Sequence, residues 1–137
     1  IGADHHCPSD WISIDKFCYK LNKQRKSWSD AEASCTQRQN SSHLVSIHSR
    51  AETFHVKRLI PSNQAPFTNV WIGLNDPQKN RNWRWSDGST FNYTAWEPME
   101  PNDLDDEKFC AQLSSSSRYL AWEAAECESE NFFICKM

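Results

Sequence analysis

A chain of 137 residues with a net charge of −3 and 38% hydrophobic content fits one domain, residues 1–137, of ordinary size. The near-balanced charge excludes the strongly basic footprint of a nucleic-acid binder. No apolar run is long enough to span a bilayer, so neither nucleic acid nor membrane insertion is expected. Gly is scarce at 3 residues, but 7 Trp and 7 Phe supply the large apolar areas from which a core is built.

Six cysteines without a C-x-x-C pair read as three disulfides rather than a zinc or redox motif, and so as an oxidising compartment. Two sequons, Asn40-Ser41-Ser42 and Asn92-Tyr93-Thr94, agree and make Asn40 and Asn92 candidate glycosylation sites. No signal peptide stands at Ile1, so the expectation is a processed secreted chain or an excised ectodomain.

In chain order, Cys7 to Cys18 encloses Trp11, Ile12 and Ile14, with a turn at Asp15-Lys16, and predicts a small hairpin. Ser29-Asp30-Ala31-Glu32 fits a capping box and predicts a helix start, with Ala31 and Cys35 on one face. Leu44, Val45 and Ile47 predict a short strand. Ser49-Arg50-Ala51-Glu52 repeats the cap, Val56, Leu59 and Ile60 follow at helical spacing, and Pro61 ends the helix. His43, His48 and His55 lie near these elements and read as surface or packing residues.

Residues 61–69 connect to a buried strand at Trp71-Ile72-Gly73-Leu74. Between that strand and Cys110 runs a long segment of little periodicity, rich in Trp83, Trp85, Phe91, Tyr93 and Trp96. Loops of that length in small domains are usually functional or disordered, and the aromatics argue for function. Trp83 and Trp85 alternate with Arg84 as in a half-buried strand, and Asp87-Gly88 is a turn. Phe109 to Leu113, Tyr119 to Trp122 and Phe132 to Lys136 complete the strands. Two early helices followed by strands make the class α+β. Charge is uneven: Lys16 to Arg58 carries nine bases and three acids, whereas Glu97 to Glu107 carries six acids and no base.

The chain resembles a C-type lectin-like domain of the long form. The resemblance rests on Cys7 and Cys18, Trp71-Ile72-Gly73-Leu74, Glu100-Pro101-Asn102, and Cys110, Cys127 and Cys135. In style it is closest to Reg proteins and avian eggshell lectin-like proteins, with snake-venom relatives a further comparison. The resemblance implies two helices with small antiparallel sheets and a long functional loop. It also selects, from fifteen pairings, the bridges Cys7–Cys18, Cys35–Cys135 and Cys110–Cys127. The second closes a loop of about 100 residues, worth about 4–5 kcal/mol in the chain-entropy model.

In sugar-binding members of that family a calcium ion bridges protein and sugar, held by oxygen ligands. The resemblance maps its ligands onto Glu100 and Asn102, which match the mannose-type pattern. It maps others onto Lys108, where a carboxylate is expected, and onto Trp122-Glu123-Ala124, where Ala124 has no side-chain oxygen. Glu107 is one residue out of place, which in extended chain turns it to the other face. A neighbouring calcium position maps onto Asp76 and Asp103, with Asn80 in place of an acid. A third, under the second helix, maps onto Ser46, His48, Glu52 and Lys136, and is expected to be empty.

The first functional expectation is a non-catalytic module that binds a glycan or an extracellular protein through the loop Ser86 to Lys108. Its candidate contacts are Tyr93, Trp96, Glu100, Asn102, Lys108 and Glu123. A standard sugar-bridging calcium is not expected, although calcium stays a candidate cofactor at Glu100, Asn102, Asp103, Asp76 and Glu107. Two alternatives stand beside it: a calcium-dependent mannose-type lectin using Glu100 and Asn102, and a mineral- or matrix-interacting protein using the acids Glu97 to Glu107. An enzyme is not expected, because the chain has no Gly-x-Ser-x-Gly, His-Glu-x-x-His or Gly-rich phosphate loop. With every cysteine paired internally, the chain is expected to be a monomer or a non-covalent dimer.

Overall fold

The computed structural model describes residues 6–39, 41–61, 68–101 and 107–137. The elements are β1 (Ile12–Ile14), β2 (Phe17–Lys26), α1 (Trp28–Arg38), β3 (His43–Leu44), α2 (Arg50–Arg58), β4 (Val70–Asn75) and β5 (Arg84–Trp85). They continue with β6 (Cys110–Leu113), a 3-10 turn at Ser115–Ser117, β7 (Trp122–Ala125) and β8 (Asn131–Lys136). The α+β class holds. The strands connect in the order β1-β2-β8-β4-β6-β7, with β3 attached to β8 and β5 to β4. The last strand makes that connection. It pairs antiparallel with β2 on one side and parallel with β4 on the other.

All three expected disulfides are present: Cys7–Cys18, Cys35–Cys135 and Cys110–Cys127. The first closes the β1–β2 hairpin, whose turn places Asp15 at φ 55°. The second ties α1 to β8 through a buried helix face of Trp28, Ala31 and Cys35. Two indoles lock the start of α1 to the sheet. Trp28 Nε1 donates to the Ile72 carbonyl and Trp71 Nε1 to the Lys26 carbonyl, each at 2.8 Å.

Three sequence expectations need correction. The cap of α1 is Ser27, whose Oγ accepts from the Asp30 amide, rather than Ser29. Glu32 does not serve that cap. Its Oε1 accepts from the Leu44 amide at 2.9 Å and the Ser86 hydroxyl at 3.0 Å, and its Oε2 lies 2.6 Å from His43 Nδ1. A tertiary demand therefore outweighs the local one. The strand expected at Tyr119 to Trp122 begins only at Trp122, because Arg118 and Tyr119 both adopt left-handed backbone. The strand expected at Leu44 to Ile47 is limited to His43–Leu44, although Val45 and Ile47 are fully buried. The second cap is as expected: Ser49 accepts from the Glu52 amide at 3.0 Å.

Gly73 lets β4 pass against the β3 segment. Its amide donates to the Val45 carbonyl and its carbonyl accepts from the Ser86 amide, both at 2.8 Å. A Cβ there would lie 2.6 Å from the Leu44 carbonyl oxygen, a backbone atom that cannot swing away. Gly73→Ala is therefore expected to destabilise by about 1–3 kcal/mol, the usual range for overpacking. Urea unfolding checks it, and an unchanged midpoint would mean that β3 and β4 are not this close.

Candidate functional site

The long loop is built on an aromatic cluster. Trp85 packs edge-to-face on Trp122 at 5.4 Å between ring centroids, and Phe91 on Trp85 at 6.3 Å. Trp96 packs on both Trp83 at 5.1 Å and Trp122 at 5.5 Å, and Tyr93 on Trp122 at 6.1 Å. Such pairs add about 0.5–1.5 kcal/mol each beyond area burial. Main-chain bonds fasten the loop to β7: Trp122 donates to the Ala95 carbonyl at 2.8 Å, and Glu97 donates to the Trp122 carbonyl at 2.9 Å. The Tyr93 hydroxyl is 3.1 Å from the Thr53 hydroxyl on α2. Tyr93 and Trp96, candidate ligand contacts from the sequence, thus hold up the loop. Trp83 and Trp85, which alternate with the exposed Arg84, are both buried.

Beyond Trp96 the loop turns polar and the candidate residues gather. Glu100, which precedes Pro101 through a cis peptide, accepts the Ala124 amide on Oε1 at 3.0 Å. The strand position without a side-chain ligand therefore engages the carboxylate through its backbone. Glu123 on β7 is held from behind by a relay. Asn131 Nδ2 donates to Gln112 Oε1 at 2.7 Å, and Gln112 Nε2 donates to Glu123 Oε1 at 2.8 Å. Burial pushes the Glu123 carboxyl above its usual range, and the neighbouring charges of Glu97 and Glu100 add to that. The Gln112 bond and the charge of Lys108 work against them. Glu97, Glu100, Lys108 and Glu123 therefore share one electrostatic neighbourhood. Glu97 was named from the sequence only as the head of the acidic run in the mineral reading, not as a contact of the glycan or protein reading.

The other candidates lie elsewhere. Glu107 lines a cleft of about 370 Å³ with Asp76, Lys79, Phe109, Glu126 and Glu128. Asp76 is buried and organises its own loop. It accepts the Asn80 amide on Oδ1 at 3.2 Å and the Arg81 amide on Oδ2 at 2.8 Å. Asn102 and Asp103 lie outside the described residues, as does Asn40; Asn92 is exposed. Among the described residues no three His, Cys, Asp or Glu side chains converge as a metal cage.

The position under α2 was expected to be empty, and it is filled by the chain itself. Lys136, 5% exposed, places Nζ 2.7 Å from Glu52 Oε2, 3.0 Å from the Ser46 carbonyl and 3.3 Å from Ser46 Oγ. Ser46 in turn donates to Asp87 Oδ2 at 2.6 Å, and the Tyr19 hydroxyl donates to Glu52 Oε2 at 2.6 Å. Burial alone would raise the Glu52 carboxyl. Hydrogen bonds from Lys136, Tyr19 and the His48 amide, with the Lys136 charge, outweigh it and hold the group below its usual range. The oxygens assigned to an ion by resemblance instead surround an ammonium.

The lectin C-type domain family matches residues 24–137. The chain belongs to this family. It is 57% identical to the C-type lectin lectoxin-Lei1 of Leioheterodon madagascariensis over its full length and 87% of that relative. It is 41% identical to a C-type lectin mannose-binding isoform of Oxyuranus scutellatus, covering 95% of this chain and 82% of the relative. Human lithostathine superposes with a TM-score of 0.88 at 37% identity, covering 96% of this chain and 98% of that one. These relatives carry the names of lectins and of lithostathine, not of enzymes.

The buried pair under α2 makes a stability prediction. Removing one partner of a buried pair strands the other charge and costs about 3–5 kcal/mol, so Lys136→Met should lose roughly that in urea unfolding. Adding Glu52→Gln should recover much of it. Because the Glu52 carboxyl titrates lower folded than unfolded, its contribution is present above about pH 4.5 and is lost as pH falls through the folded value. The double variant should therefore show a shallower loss of stability in acid. An unchanged acid profile would mean that Glu52 does not carry this linkage.

Proposed function

We propose that this lectin domain binds a glycan or an extracellular protein at the rim formed by Glu97, Glu100, Lys108 and Glu123, without a bridging calcium. The carrying observation is that Lys108 stands within electrostatic reach of Glu123, where the family resemblance calls for an anion. A calcium ion brought there would meet an ammonium, at a cost of several kcal/mol, about 8 for a divalent ion at 4 Å and an effective dielectric of 20. The rim has its own chemistry for polar ligands. Carboxylates accept from sugar hydroxyls or partner amides, and the lysine donates to their oxygens, in hydrogen bonds strengthened by charge. The relay from Asn131 through Gln112 keeps Glu123 from turning away.

A second reading keeps one specific support. Glu100 is in place, and a relative 41% identical is named a mannose-binding lectin. On that reading Glu100 and Asn102 hold calcium and the sugar is mannose. The mineral reading rests on the acids Glu97 to Glu107, of which Asp103, Asp105 and Asp106 lie outside the described residues. Secretion fits the three disulfides, and no described helix is long and apolar enough to cross a membrane.

A glycan array run in calcium and in EDTA separates the readings. The proposal expects binding that survives EDTA and weakens at least about tenfold in Lys108→Ala, the loss of one charge-assisted contact. Mannose binding abolished by EDTA would overturn it. Lys108→Glu with Ala124→Asp should create calcium affinity measurable by calorimetry, and no gain would argue against the residue mapping.

A further inference from the structure

The sequon at Asn92 takes no part in the rim described above. Asn92 and Thr94 are both exposed, while Tyr93 between them turns inward onto Trp122 and Thr53. Both side chains of the sequon are therefore accessible at the loop surface. Thr94 also forms part of a groove of about 310 Å³ between the loop and α2, with Arg50, Phe54, Tyr93, Trp96 and Leu120. The groove has an unusual exposed wall. Phe54 is 37% exposed on a helix surface, and the Arg50 guanidinium lies 5.6 Å from its ring centroid.

We infer that Asn92 carries an N-linked glycan whose first sugars fold back into this groove and cover Phe54. An N-acetylglucosamine ring has an apolar C–H face, which matches an aromatic ring, and hydroxyl and amide oxygens, which match a guanidinium donor. The occupant is tethered at the residue next to Tyr93 of the groove wall. It therefore pays little translational cost, and contacts too weak to hold a free sugar suffice. Trp96 and Tyr93 then have two covered sides, the aromatic cluster within and the glycan without. Ligand binding is left to the acidic rim.

The test uses the full chain expressed through a eukaryotic secretory pathway. Removal of the glycan by peptide N-glycosidase under native conditions should reduce the mass of the peptide containing Asn92, and Asn92→Gln should abolish that change. Thermal unfolding should show a Tm fall of roughly 3–5 °C on deglycosylation of the wild type. In Phe54→Ala, which loses only a partly exposed ring and so still folds, the fall should shrink to within error. An unmodified Asn92 would overturn the inference. So would an occupied Asn92 whose removal leaves Tm unchanged, or lowers it equally with and without Phe54. Self-association of the glycosylated protein that Phe54→Ala abolishes would identify a second copy as the occupant and overturn it as well.

Discussion

The ammonium of Lys136, sealed between Glu52 and Ser46, is the interaction on which the arrangement of this domain turns. It comes from the last strand, and its partners come from α2 and from the segment before it. Through them it reaches Tyr19 on β2 and Asp87 after β5. It also packs 4.2 Å from the Phe17 ring centroid, so the cation is enclosed on an aromatic face as well. Burying two charges is unfavourable unless geometry and further hydrogen bonds offset it. Here Glu52 also accepts from Tyr19 and from the His48 amide. The result is a fixed positive charge supplied by the chain itself.

On the proposed function, a chain charge also stands in for an ion at the rim, in a wetter setting. The charges of Lys108, Glu97 and Glu100 all act on Glu123, and solvent weakens the attraction of Lys108 relative to that of Lys136. Stability is left to the aromatic cluster and to the bonds between the loop and Trp122. The division is physical: apolar edge-to-face contacts fix the loop, and polar groups at its end stay available. α2 joins the two regions, because its buried face is Glu52, Thr53 and Val56 rather than an apolar stripe. Glu52 meets the lysine, and Thr53 meets Tyr93 of the loop.

Much of this was readable from the residues. Alternation around Arg84 marked Trp83 and Trp85 as core, and the second capping box marked the start of α2. The disulfide pairing came from the family resemblance, since six cysteines alone leave it open. What stayed hidden depended on distant partners. Ser27 and Ser29 offer competing caps, and the choice follows from Glu32 being drawn to Leu44 and Ser86, far along the chain. Tyr119 looks like a strand residue, but its left-handed backbone belongs to a turn. Lys136 read as the loss of a ligand, because a sequence shows the sign of a charge and not where a long side chain delivers it. Glu97 gave no local hint that its charge would act on Glu123.

Thermal unfolding of the wild-type chain in millimolar calcium and in excess EDTA tests most directly whether these lysines replace the ion. A ligand that binds only the folded state raises Tm with its concentration. The account predicts the same Tm in both buffers. A rise of several degrees in calcium, lost in Glu100→Gln, would contradict it.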